Sequence, residues 1–229
     1  RISNVTRRPA SDRVFFVRMG LLLLALILLG FGGRALTRGE ETPPEASVLL
    51  PHIACIGAWY LLFVVQAWLI GQRRRGLHRM LGYASLPLSA ALLWTSVLVM
   101  AANYRLKGDA PLVFFNVLNL SQFAAMYGVA VLRVRDTALH KRLMLYASVA
   151  MMPPALVRII QALGLPEPVT VLLIVGLWVP GFRHDLATRG RVHPGTWIGV
   201  GVIAVGVAVG GPIGFSAGWA DLVERWIGG

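Results

Sequence analysis

Residues 51–71 read PHIACIGAWYLLFVVQAWLIG, and residues 72–79 continue as QRRRGLHR. The first stretch has no charged side chain in 21 positions; the second has four arginines in eight. A helix of 21 residues rises ~1.5 Å per residue and reaches ~31 Å, which matches the ~30 Å hydrocarbon core of a bilayer. A strand would alternate polar and apolar residues, and this run does not. An apolar rod that ends at a basic cluster is the pattern of a membrane-spanning helix stopping where arginine collects.

The pattern recurs on both sides of this stretch. Apolar runs at 19–36, 51–71, 79–102, 112–132, 143–163, 168–182 and 195–215 predict an all-α, seven-helix integral membrane bundle. The chain has 229 residues, of which 56% are hydrophobic and 14% charged. Soluble domains carry roughly a quarter charged residues, so an ordinary soluble enzyme is excluded. Cys55 is the single cysteine, which excludes a disulfide scaffold. The weak member of the set is 168–182, because 15 residues reach only ~22 Å.

Arginine and lysine orient the bundle. With the N-terminus in the cytoplasm, the inside segments hold 16 basic and three acidic residues; the outside segments hold five basic and seven acidic. The bias predicts a cytoplasmic N-terminus and a periplasmic C-terminus in a bacterial inner membrane. The net charge of +12 is then a membrane signature, and no nucleic-acid partner is expected. The organisation that follows is a basic cytoplasmic segment at 1–18, a transmembrane domain at 19–218 and an interfacial amphipathic helix at 219–229. In the last segment Trp219, Leu222, Val223, Trp226 and Ile227 recur at helical spacing.

Spans two to seven form three hairpins, and His78, His140 and His193 each stand at the start of a returning helix. His78 is followed by Tyr83-Ala84-Ser85 and His140 by Tyr146-Ala147-Ser148, with a slip of one residue. The likeness reads as internal duplication or as chance. Leu77-His78-Arg79-Met80-Leu81-Gly82-Tyr83, His140-Lys141-Arg142-Leu143-Met144 and Gly190-Arg191-Val192-His193-Pro194-Gly195-Thr196-Trp197 resemble motifs of a family of hydrophobic proteins common in alphaproteobacteria. That resemblance covers roughly residues 14–215. It implies a seven-helix inner-membrane architecture and brings no reaction with it.

Two groups of side chains carry the chemistry that the sequence offers. The first is at the cytoplasmic edge, where the topology gathers His78, His140, His184 and His193 with Asp136 and Asp185. Imidazoles and carboxylates are ligands of zinc, iron or copper, so these four histidines are candidate ligands of a transition metal. His78 and His140, at similar depth, could also face each other across a b-type haem. The plain alternative is four interfacial histidines among loop arginines. His-Glu-x-x-His and Cys-x-x-Cys-His are absent.

The second group is assigned to the outer half. His52, Trp59 and Gln66 lie seven residues apart on one face of the second helix, and Asn116, Asn119 and Gln122 line the fourth. Arg158 stands ~27 Å of helix beyond His140. An arginine inside a span faces a partner, a cavity or the phosphates of the membrane surface. His52, Gln66, Asn116, Asn119 and Arg158 are the candidate ligand-binding residues, for a quinone, a lipid headgroup or an organic acid. Finally, Gly206, Gly210 and Gly214 form a small-residue ridge, for a helix of the same chain or for a partner membrane subunit.

Two functions follow. One is a polytopic membrane protein that binds a ligand or a metal or haem cofactor, with a redox, transport or sensory role. The other is a non-catalytic accessory subunit of a larger membrane complex. No phosphate-binding loop, nucleophile elbow or paired catalytic carboxylate occurs, so an enzyme is the weaker expectation.

Overall fold

A computed structural model describes residues 9–33 and 45–228. The described residues form helices α1 (Pro9–Ile27, continued by a π-helical turn over Leu28–Gly32), α2 (Ala46–Gly71), α3 (Arg75–Lys107) and α4 (Ala110–Leu132). They continue with α5 (Thr137–Ala150), α6 (Pro153–Ala162), α7 (Val169–Arg189), α8 (Pro194–Gly214) and α9 (Ala217–Val223), which ends in a second π turn. Among the described residues six helices are long and apolar enough to cross a membrane, and the bent pair α5–α6 makes a seventh if it counts as one span. Large apolar side chains such as Leu61, Trp94, Leu172 and Val205 stand more than half exposed. In water such a surface would aggregate; around a bilayer-length bundle it is the lipid face. The chain is a multi-pass helical membrane protein.

Helix ends follow local chemistry. Asp109 and Asp136 cap α4 and α5 by accepting from the Leu112 and Leu139 amides at 2.9 and 3.0 Å. Gly108 and Gly190 close α3 and α7 with φ near +65° and +68°, where a side chain would be strained. The weak sixth run is resolved by its C-terminal boundary. The helix does not stop at Phe182 but continues through Arg183, His184 and Asp185 to Arg189, and 21 residues suffice to span. The first helix begins at Pro9, so residues 9–18 of the basic segment lie on the same helical rod as the first apolar run. Residues 34–36 of the expected first run lie outside the described residues.

The expected straight span at 143–163 is broken. Pro153 and Pro154 have no amide hydrogen for the carbonyls of Val149 and Ala150, so α5 ends and α6 restarts 44° off its line. Gly30 fits the bend: a Cβ there would lie 2.9 Å from Ala155 Cα. The π turn of α1 therefore seats directly on α6.

The core is built from two hairpins, α2–α3 and α4–α5, which exchange side chains. Trp59 on α2 meets Phe123 on α4 edge to face, with ring centroids 4.8 Å apart. Trp59 Nε1 donates to Ser148 Oγ at 3.1 Å and Tyr60 OH donates to the Ser148 carbonyl at 2.8 Å, so α2 is bonded to α5. In return, Ser85 on α3 and Tyr127 on α4 share a hydroxyl–hydroxyl bond of 2.7 Å. Each hairpin thus supplies an aromatic side chain to the serine of the other. The two serines belong to the Tyr-Ala-Ser likeness seen in the sequence, now with reciprocal partners.

Around this centre, α1 lies on α2, and α8 lies on α4 and α5. The glycine ridge of α8 is filled from within the chain. Gly206 abuts the Gln122 side chain, and a Cβ at Gly210 or Gly214 would meet Phe115 at 2.8 Å or Phe114 at 3.0 Å. Gln122 Nε2 also donates to the Val202 carbonyl at 3.0 Å. The surface considered for a partner subunit is therefore occupied by α4. The C-terminal helix is also anchored to the chain. Val223 is buried, Trp219 Nε1 donates to the Ala110 carbonyl at 2.8 Å, and Tyr104 OH donates to Glu224 Oε2 at 2.7 Å. It closes the α3–α4 turn, with Trp226 pointing outward.

Candidate functional site

The heptad spacing of α2 and α4 divides the centre into three levels. Residues seven apart share a helix face and stand ~10.5 Å apart along the axis. Trp59 and Phe123 mark the middle. His52 and Asn116 lie seven positions to one side; Gln66 and Ala130 lie seven positions to the other, toward the basic end. Sharing a face with His52 therefore places Gln66 ~21 Å from it, at the opposite end of the bundle. The structure confirms this: the Gln66 carbonyl is bonded to His78. Gln66 thus leaves the outer group of candidate residues.

At the basic end the four histidines have separate environments. His78 Nδ1 lies 3.3 Å from the Gln66 carbonyl and His140 Nδ1 lies 2.8 Å from the Ala130 carbonyl. A carbonyl only accepts, so each Nδ1 carries hydrogen, which leaves Nε2 as the acceptor or ligand atom of the neutral ring. These two imidazoles sit at related positions and within electrostatic range of each other. His184 is elsewhere: its Nε2 is 2.6 Å from Asp12 Oδ1 and its ring stacks on Phe15 at 4.0 Å. His193 caps α8, its Nδ1 accepting from the Gly195 amide at 2.9 Å. The expected ring of four histidines is therefore dispersed, and no group of three or more His, Cys, Asp or Glu side chains converges as a metal-ligand set among the described residues. The physical reason is that a shared rim fixes depth but not bearing around the bundle.

The same end contains a network that the loop assignment of these residues concealed. Arg142 and Asp185 are buried, at 2% and 1% exposure. Arg142 Nε donates to Asp185 Oδ1 at 3.0 Å, its Nη2 closes on the same oxygen, and Nη1 donates to the Ala138 carbonyl at 2.8 Å. Asp185 Oδ2 accepts from Thr196 Oγ1 at 2.6 Å and from the His193 amide at 3.0 Å. Asp12 pairs with Lys141 and His184 together. Consecutive residues His140, Lys141 and Arg142 thus reach α4, α1 and α7 in turn. Tyr146, one turn on, lies in a slot made by Gly181 and Gly199; a Cβ at Gly199 would lie 2.6 Å from Tyr146 Cβ. The one readable signal was Asp185, an acid alone among the arginines of 183–191.

Burial lowers the affinity of His193 for a proton, and the positive charges of Arg142 and Arg189 act in the same direction; Asp185 and Asp136 oppose them in part. The neutral ring is also the form that its cap requires, because Nδ1 must accept from Gly195.

Beyond the Trp59–Phe123 contact lies a different polar layer. His52 Nδ1 is 3.5 Å from Thr95 Oγ1 and from Ser96 Oγ, both at the outer limit of a hydrogen bond. Arg158 lies within electrostatic range of His52. Its guanidinium covers the Phe31 ring at 4.4 Å and donates through Nη1 to the Pro154 carbonyl at 2.6 Å. Asn116 and Asn119 are half-buried on α4, on the face that continues down to Phe123. Their amides have no hydrogen-bond partner among the described residues. The bend at 151–153 swings α6 toward α1 and places Arg158 against Phe31. His52 and Arg158 lie within electrostatic range of each other, and Asn116 and Asn119 stand on α4 to that side of Phe123, Asn116 about as far from it as His52 stands from Trp59.

Comparison with known protein families, with curated proteins and with solved structures gives no significant match.

Proposed function

We propose that this chain is a multi-pass inner-membrane protein, with its N-terminus cytoplasmic, that binds a small ligand bearing an acidic or carbonyl group in the outer polar layer. The observation that carries this reading is the spare hydrogen-bond capacity of two amides and an imidazole on that side of the Trp59–Phe123 contact. Arg158 brings a cation to the level of His52, while the Asn116 and Asn119 amides and the weakly held His52 ring have capacity to spare. A cation, an imidazole and two amides above an apolar floor orient a carboxylate, a quinone carbonyl or a phosphate ester. A redox, transport or sensory role is compatible with such a site.

The test is mass analysis of small molecules retained by natively purified protein. Wild type retains one stoichiometrically; Arg158→Gln loses it while unfolding at nearly the same temperature. Co-purification in fixed ratio with larger subunits, with no retained small molecule in either protein, would favour the accessory-subunit reading instead.

A second reading rests on the His78–His140 pair. Ligating histidines usually donate their other ring N–H to a carbonyl or carboxylate, which is the state of both. The pair is the strongest candidate for axial ligands of a b-type haem or for a shared metal ion. A visible absorption band or bound metal that disappears in the His78→Ala, His140→Ala double variant supports it. Colourless, metal-free wild-type protein from haem- and metal-supplemented cells ends it.

A further inference from the structure

Between the N-terminal half of α1 and the last turn of α2 runs a surface groove of about 310 Å³ at the basic end, lined by Arg13, Val14, Val17, Arg18, Trp68 and Gln72. Its volume is at the small end of the ~300–1,000 Å³ typical of ligand clefts, right for a headgroup rather than a whole lipid. Arg13 is fixed in place, Nη1 donating to the Gly71 carbonyl at 3.0 Å, so that it caps the α2 terminus. That single bond leaves its other N–H groups for a further acceptor. Neither Arg13 nor Arg18 has a carboxylate in ion-pair distance among the described residues. Asp12, next in sequence, is turned to Lys141 and His184. Trp68 is 45% exposed at the edge of the groove, the usual place for an indole at the level of lipid headgroups.

We infer that this groove binds the phosphodiester headgroup of an anionic phospholipid. The two arginines hold the phosphate, Val14 and Val17 receive the start of the acyl chains, and Trp68 packs along the glycerol. Charge decides the occupant. Arg73, Arg74 and Arg75 follow directly after the groove, and residues 1–8 carry three arginines and no acid. Among the described residues no carboxylate balances Arg13 and Arg18, and a neutral lipid would leave their charge uncompensated. Basic clefts between helices at a membrane face are known lipid-headgroup sites. The inference does not depend on which leaflet the basic end faces, nor on the outer polar layer.

Full-length protein in a neutral detergent is titrated with phosphatidylglycerol or phosphatidylcholine, and bound lipid is counted by native mass spectrometry. Wild type prefers phosphatidylglycerol by roughly 25-fold, about fivefold for each of the two arginines at a membrane surface. Arg18→Gln, on an exposed side chain, loses about fivefold of that preference, and Arg13→Gln with Arg18→Gln abolishes it. Arg225→Gln, a basic residue at the other end, leaves it unchanged. Equal binding of the two lipids, or a preference that survives the double variant, overturns the proposal. So does inorganic phosphate at millimolar concentration displacing the lipid completely, because the apolar part of the groove would then contribute nothing. If the double variant fails to fold, Arg18→Gln alone decides.

Discussion

The two ends of the bundle both bury polar side chains, but they spend them differently. At the basic end the buried carboxylates are fully engaged: the Asp185 carboxylate takes Arg142, Thr196 and the His193 amide, and Asp12 takes Lys141 and His184. At the opposite end the hydrogen-bond contacts of His52 are at 3.5 Å, and Asn116 and Asn119 have none among the described residues. A saturated network holds helices in register, because rearranging it would leave a charge uncompensated. An under-used polar layer can accept another molecule at little cost to the fold. Among the described residues, what separates the two ends is the carboxylate-centred network, which only the basic end has.

The sharpest way to break the comparison is at the saturated end. Asp185→Ala leaves Arg142 buried without its anion, and the loss should be ~3–5 kcal/mol, read as a large fall in unfolding temperature. Arg142→Met combined with Asp185→Leu should cost clearly less than Asp185→Ala alone, since no charge is then stranded. A double variant as unstable as the single one would mean that the pair does more than neutralise itself.

The packing of α8 on α4 gives the next effect. Gly206→Leu has to displace the buried Gln122 side chain and its bond to Val202, at a cost of up to ~3 kcal/mol. An unchanged unfolding temperature would return the ridge to the role of an exterior contact. Smaller again is Ser148→Ala, which strands the Trp59 Nε1 donor but spares the Tyr60 bond, made to the backbone. About 1 kcal/mol is expected, between the ~0.6 average for polar contacts between membrane helices and the ~1–3 for an orphaned donor.

The smallest effect concerns acid. His193 binds its proton less readily in the folded protein than in the unfolded chain, so its contribution is intact above the ordinary imidazole range. It is lost as the pH falls through the lowered folded value, when the protonated ring can no longer accept from Gly195. The loss is that of a helix cap, ~1 kcal/mol or less. His193→Asn keeps an acceptor at the cap and should flatten stability against pH as the pH falls below the ordinary imidazole range; a slope equal to wild type would assign the acid sensitivity to other groups.

Much of the architecture was legible because hydrophobic length is a strong one-dimensional signal. The run at 51–71 became α2, and the histidine and Tyr-Ala-Ser likeness marked the two hairpins that exchange Trp59, Ser148, Tyr127 and Ser85. Depth was legible too: Arg158 does reach the level of His52. What the sequence conceals is bearing around the bundle. Nothing in it says that His184 turns to α1 while His140 turns to α4, or that Asp185 points inward to Arg142. The heptad that joins His52 to Gln66 records a common face and is silent about the ~21 Å between them. The break in the fifth span was written in Met151-Met152-Pro153-Pro154, where two missing amide hydrogens outweigh apolar continuity.

The most direct test of the difference between the two ends is the small-molecule content of three purified proteins compared with wild type. Arg158→Gln and His52→Ala alter the outer layer, whereas Gln66→Ala alters a side chain on the same face as His52 at the far end. One acidic or carbonyl-bearing compound, bound at about one per chain in wild type and in Gln66→Ala and missing from Arg158→Gln and His52→Ala, is the predicted result. The same compound lost equally from all three, or found in none, would contradict it.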